Sequence, residues 1–131
     1  MATTAERAVE GADVVVTATN AQAPILRGSW LKRGCHVNSI GAPRPQWREL
    51  DDAAMANVLY VDSRAGALKE SADGILSGSP IYAEIGEALA AKVPSRAGET
   101  TVFKSLGMAV EDLAAAMLVY QGAVAEAVAA Q

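Results

Sequence analysis

Unbroken apolar runs, rather than alternation, set the pattern of this chain. Asp13-Val14-Val15-Val16-Thr17-Ala18-Thr19 lies between Gly11 and Asn20. Its length and continuous apolar character predict a strand buried on both faces, as in a parallel sheet. His36-Val37-Asn38-Ser39-Ile40-Gly41, Val58-Leu59-Tyr60-Val61-Asp62 and Thr100-Thr101-Val102-Phe103-Lys104-Ser105 predict three more strands. Helical stretches lie between and around them. Met1 to Glu10 reads as the end of a helix, and Ser29-Trp30-Leu31 as a helical turn closed by Gly34. Glu49 to Ala56 fits a short helix whose acidic start (Glu49, Asp51, Asp52) suits the helix dipole. Ala65 to Asp73 and Ile81 to Ala91 read as further helices, the second weakened by Gly86. A long helix is expected from about Val110 to the end, with Val110, Leu113, Ala114, Met117, Leu118 and Tyr120 on its apolar face. Two prolines in Gly41-Ala42-Pro43-Arg44-Pro45 forbid regular structure, and Pro94 to Glu99 reads as a polar loop. Strands alternating with helices predict an α/β fold, a parallel sheet with helices on its faces.

Composition narrows this picture. The 131 residues are 51% hydrophobic but only 5% aromatic, which suits helices on a buried sheet better than a β-sandwich. The length suffices for one core and not for two. A net charge of −4 and a pI near 4.9 argue against a nucleic-acid surface, which needs clustered Lys and Arg. No apolar run approaches the roughly 20 residues of a membrane helix, so no membrane partner is expected. No basic stretch followed by an apolar region opens the sequence, so no secretory signal is expected. One cysteine, Cys35, excludes an internal disulfide, and with the single histidine, His36, it excludes the usual Cys/His zinc sites. The expected compartment is the reducing cytoplasm.

In a parallel α/β sheet, ligands bind beyond the carboxyl ends of the strands. Here those ends are Thr17-Ala18-Thr19-Asn20, Ser39-Ile40-Gly41-Ala42, Asp62-Ser63 and Lys104-Ser105-Leu106-Gly107. Their small and hydroxylated residues would let a ligand approach closely. Turns need the same residue types, so each signal alone is weak. Eleven glycines include no G-x-G-x-x-G phosphate loop, and Gly74 to Gly78 is not followed by Lys. Cys35 and His36 are neighbours and would point to opposite faces of a strand, so they make no nucleophile–base pair, and Cys35 reads as a small core residue. Lys104 stands out as a charge inside an apolar strand. Glu70, in Lys69-Glu70-Ser71, is either a solvated helix residue or a ligand-facing acid. Glu111-Asp112 suits the start of the last helix.

Several strings together resemble the ornithine cyclodeaminase/mu-crystallin family, and within it the mu-crystallin and ketimine reductase side. They are Asp13 to Thr19, Ile40 to Asp51, Tyr60-Val61-Asp62-Ser63, Ala67-Leu68-Lys69-Glu70-Ser71 and Thr100 to Asp112, in that order, the last being the most specific. The resemblance covers nearly the whole chain but only the C-terminal portion of the family pattern. It implies the second half of a Rossmann-type parallel sheet with flanking helices, plus a C-terminal strand and helix belonging to the substrate and dimerisation domain. The boundary it implies puts 1–95 in the NAD(P)-binding Rossmann half and 96–131 in the returning strand and helix. The glycine-rich loop would lie in the missing N-terminal part, which also leaves NAD and NADP undistinguished.

Carried over by position, Thr19, Asn20, Ile40 and Ser105 are the implied cofactor contacts, and Glu70 is the implied catalytic, ligand-facing acid. The implied cofactor is NAD(P)H, and the implied whole protein is a homodimer of amino-acid metabolism acting on a small cyclic imine or amino acid. One departure bears on the chemistry. The cyclodeaminases and the alanine dehydrogenase carry an acid–base Asp shortly after the glycine that Gly41 matches. This chain has Pro43 there, between Ala42 and Arg44. Proline transfers no proton, which favours reduction of an existing C=N bond over cyclodeamination. The implied activity is therefore NAD(P)H-dependent ketimine reduction, incomplete in this chain alone. The alternatives are an amino-acid cyclodeaminase or dehydrogenase, and a non-catalytic ligand binder or inactive fragment.

Overall fold

The structure, a computed structural model, describes residues 4–42 and 44–129. Pro43, the first three residues of the expected opening helix and the end of the alanine-rich tail lie outside the described residues. The strands are β1 (Val14–Thr17), β2 (His36–Ser39), β3 (Val58–Val61), β4 (Ile81–Glu84) and β5 (Thr101–Lys104). They form one sheet in the order β1-β2-β5-β3-β4, with every pair parallel. Thr17 pairs with Ser39, Ser39 with Lys104, and Lys104 with Val61, so four strands end level at one edge. The helices are α1 (Ala5–Val9), α2 (Asp52–Met55), α3 (Arg64–Glu70), α4 (Ala72–Ser77), α5 (Ile85–Leu89) and α6 (Ala109–Ala129), with a 3-10 turn at Gly28–Trp30.

The α/β architecture agrees with the sequence pattern, and several details differ from it. The last strand does not leave the sheet. β5 lies between β2 and β3, hydrogen-bonded to both, so the strand in 96–131 is central to the parallel sheet, and only α6 extends away from it. The expected helix Ile81 to Ala91 begins as strand β4, because pairing with β3 captures Ile81–Glu84. The helix starts only at Ile85, where Glu84 and Glu87 form a capping box. The expected helix Ala65 to Asp73 is two helices, broken where Ser71 is extended. They cross so closely that a Cβ at Gly74 would lie 2.7 Å from the Ala67 carbonyl oxygen. The helix expected from Glu49 begins at Asp52, with Asp51 as its cap accepting from the Ala54 N–H at 2.8 Å.

The sheet buries one face. Val15, Val37, Leu59, Val61 and Val102 point into a core with Leu26, Cys35, Leu50, Ala54, Met55 and Ala67. Each such Val or Leu contributes about 1.5–3 kcal/mol. On the other face Val14 and Val16 are 57% and 58% exposed, so β1 is not buried on both faces as its sequence suggests. Among the described residues nothing covers that side of β1. Similarly, the apolar residues of α6, including Val110, Leu113, Met117, Leu118 and Tyr120, are exposed. Cys35 is buried as expected, and burial pushes its thiol up. His36 lies on the opposite face with Nδ1 2.7 Å from Thr101 Oγ1.

Candidate functional site at the carboxyl edge

The level carboxyl edge of β1, β2, β5 and β3 is built around buried charges. The segment before α2 is pinned by two backbone bonds, Ile25 N–H and Leu26 N–H both donating to the Glu49 carbonyl. This turns the Glu49 side chain under the ends of β1 and β2, where it is fully buried. Its carboxylate accepts five hydrogen bonds. Oε1 takes the Thr19 N–H at 2.6 Å and the Thr19 hydroxyl at 2.8 Å. Oε2 takes the Thr17 hydroxyl at 2.8 Å, the Ser39 hydroxyl at 3.0 Å and the Gly41 N–H at 3.0 Å. Burial pushes this carboxyl up, but the bonds from Thr17, Thr19 and Ser39 outweigh it and hold the group below the usual carboxylate range.

Lys104, the last inward-facing residue of β5, is also fully buried. Its Nζ donates to the Gly41 carbonyl and, at 3.2 Å, to Ser39 Oγ, and it lies 3.4 Å from Asp73 Oδ2. Asp73, buried on α4, accepts the N–H groups of Glu49 and Leu50 at 3.1 Å on Oδ1, with Arg48 Nε 3.7 Å away. Lys104 and the mostly buried Arg48 thus both face Asp73, whereas the Glu49 carboxylate has no ion pair among the described residues and is met by hydrogen bonds alone.

A third carboxylate, Asp62, closes the same edge at the end of β3. Its Oδ2 accepts from Leu106 N–H at 2.6 Å, Gly107 N–H at 2.8 Å and Ser105 Oγ at 3.2 Å. Oδ1 accepts from Ser63 N–H at 2.7 Å.

Thr19, Ile40 and Ser105, three of the expected contacts, come together here on adjacent strand ends. Thr19 is tied to Glu49, Ile40 N–H donates to the Thr17 carbonyl at 2.8 Å, and Ser105 N–H donates to the Ser39 carbonyl at 3.0 Å. Ile40 leaves its side chain 52% exposed at the edge. Asn20 follows Thr19 and is exposed. Glu70 is on a different element, at the end of α3, exposed and without a side-chain hydrogen bond or ion pair among the described residues.

Sequence reasoning missed Glu49, which sits among the acidic helix-start residues Asp51 and Asp52, and Asp73, which reads as the last residue of an ordinary helix. Lys104 was legible as a charge on the inward side of a strand, two residues after Val102.

This edge has a definite chemical character. Backbone N–H groups of Thr19, Gly41, Leu106 and Gly107, which could have held a phosphate, already serve the carboxylates of Glu49 and Asp62. The groups left facing outward are uncharged, among them Ile40 and Asn20.

The model of the family described as "Ornithine cyclodeaminase/mu-crystallin family" matches residues 1–127. Ketimine reductase mu-crystallin of Mus musculus is 60% identical over 116 residues, covering 88% of this chain and 37% of that protein. Delta(1)-pyrroline-2-carboxylate reductase of Bacillus cereus is 38% identical over 133 residues, covering 93% of this chain and 41% of that protein. The solved Thermococcus litoralis Delta(1)-pyrroline-2-carboxylate reductase, in complex with NADH and L-proline, superposes with a TM-score of 0.82 at 36% identity. That match covers 95% of this chain and 42% of the other. The chain therefore spans about two fifths of the length of these relatives.

Proposed function

This chain belongs to the ornithine cyclodeaminase/mu-crystallin family, and from that premise we propose that it supplies the nicotinamide-facing part of an NAD(P)H-dependent reductase of cyclic ketimines. The observation that carries this reading is the carboxyl edge itself. Thr19, Ile40 and Ser105 meet there, and its backbone donors are already taken by Glu49 and Asp62, leaving a neutral surface for the nicotinamide end. Thr19, Asn20, Ile40 and Ser105 would hold that end, and the bound NAD(P)H would supply the hydride for the carbon of the C=N bond. The exposed carboxylate of Glu70 would face the substrate and stabilise the protonated imine nitrogen by a charge-assisted hydrogen bond. Pro43 supports reduction over cyclodeamination, since the position carries no proton-transferring group. The reading takes the whole protein as a homodimer, supported by the exposed apolar side chains of α6. It takes the compartment as the cytoplasm, supported by the free thiol of Cys35.

A chimaera tests the reading. The N-terminal part of the mouse relative is joined to this chain, and NAD(P)H absorbance is followed with piperideine-2-carboxylate. Substrate-dependent oxidation of the cofactor is expected. A folded, cofactor-binding chimaera that turns over no cyclic imine would refute it.

A further inference from the structure

Gly41 has both sides of its backbone held by opposite buried charges. Its N–H donates to Glu49 at 3.0 Å, and its carbonyl accepts from the Lys104 ammonium. The neighbouring amides are fixed as well, Ile40 N–H on the Thr17 carbonyl and Ala42 N–H on the Thr19 carbonyl, each at 2.8 Å. A side chain at Gly41 would overlap the Thr19 backbone and the Glu49 carboxylate. The next residue, Ala42, is buried and has φ +50°, a left-handed conformation rare for a residue with a Cβ. Such a conformation persists only where its surroundings over-determine it.

A turn that served only to leave the strand would need none of this. Strand exits elsewhere in this sheet do without a buried lysine, and a buried ammonium is costly unless it is fully paired. We propose that Glu49 and Lys104 form a two-sided clamp on Gly41, with Asp73 as the counter-charge of Lys104. The clamp positions Ile40 and Ala42 at the ligand-facing edge. Lys104 and Glu49 are thus positioning residues, acting through the backbone they hold. What is positioned for rests on the function proposed above, whereas the clamp does not.

The test uses the full chain labelled with nitrogen-15 and carbon-13. In the parent, the Lys104 ammonium should give a slowly exchanging proton signal with a through-bond coupling to the Gly41 carbonyl carbon. A rapidly exchanging, uncoupled ammonium would overturn the proposal. Lys104→Met should then lower hydrogen-exchange protection at the Gly41 and Ala42 amides by about tenfold more than at Val37 and Val102 in the strand centres. A uniform fall at all four would mean a lysine that only stabilises the core, and no change would mean no clamp; either result overturns the proposal. Should Lys104→Met not fold, the double variant Lys104→Met with Asp73→Asn leaves no unpaired buried charge from this pair and carries the same comparison. Because no cofactor enters these measurements, an inactive chimaera with the clamp signature intact would sink the proposed function alone.

Discussion

Replacing Glu49 by glutamine is the sharpest test of how the edge is held together. Glutamine keeps the shape of the side chain and one of its oxygens. Each carboxylate oxygen, however, receives a backbone N–H, Oε1 from Thr19 and Oε2 from Gly41. Whichever way the amide is turned, its NH₂ group must face a backbone donor in a buried site. The three hydroxyl partners, on Thr17, Thr19 and Ser39, can rotate to adapt, but the two backbone donors cannot. One unmade buried hydrogen bond costs about 1–3 kcal/mol, and losing charge assistance on the remaining bonds adds roughly 1–2 kcal/mol. The expected destabilisation is about 2–5 kcal/mol, a large part of the stability of an ordinary domain. At this chain length it lowers the melting temperature by roughly 8–20 °C. Urea unfolding followed by circular dichroism should show a lower midpoint with an unchanged slope. The pH dependence gives an independent reading. The folded carboxyl is held below its ordinary range, so its contribution is complete above the ordinary glutamate pKa and is lost as pH falls through the lowered one. Glu49→Gln should therefore flatten the fall in stability across that acid window. A variant within about 1 kcal/mol of the parent, with the same acid profile, would refute the idea that this carboxylate organises the edge.

Three further outcomes are expected. In the chimaera, Glu70→Gln should lower turnover of a cyclic ketimine by about tenfold or more with NAD(P)H affinity intact, equivalent to about 1.4 kcal/mol of transition-state stabilisation; Pro43→Ala should change turnover far less, and equal effects would remove Glu70 from its assigned role. Titrating this chain by itself with NADH should show no saturation at micromolar cofactor by nicotinamide fluorescence, because its edge donors are engaged by Glu49 and Asp62; tight binding would require a phosphate site elsewhere. With Val14, Val16 and the apolar residues of α6 exposed, the chain should self-associate or bind the dye ANS, and a dye-free monomer in sedimentation would contradict that.

The sequence by itself determined the α/β class, because the runs at Val37, Val58 and Val102 are short, apolar and separated by helix-length segments. It also determined that Cys35 packs as a hydrophobe, and it marked Thr19, Ile40 and Ser105 as residues at strand ends. A parallel sheet brings such ends to one side whatever lies between them. Other features depended on contacts distant in sequence. Val14 to Val16 has the composition of a fully buried strand, yet burial on the second face requires another layer, which no local pattern can supply. Ile81–Glu84 is too short for its periodicity to separate strand from helix, and pairing with β3 decided it. Glu49 reads locally as one more acid before a helix. Only closure of the sheet brings the hydroxyls of Thr17 and Thr19, 32 and 30 residues earlier in the chain, onto its carboxylate. The same closure sets Lys104 against Gly41, 63 residues earlier, and against Asp73. Propensity and periodicity are properties of neighbouring residues, whereas the pairing of buried charges is a property of the folded chain, and that pairing built the edge on which the proposed function rests.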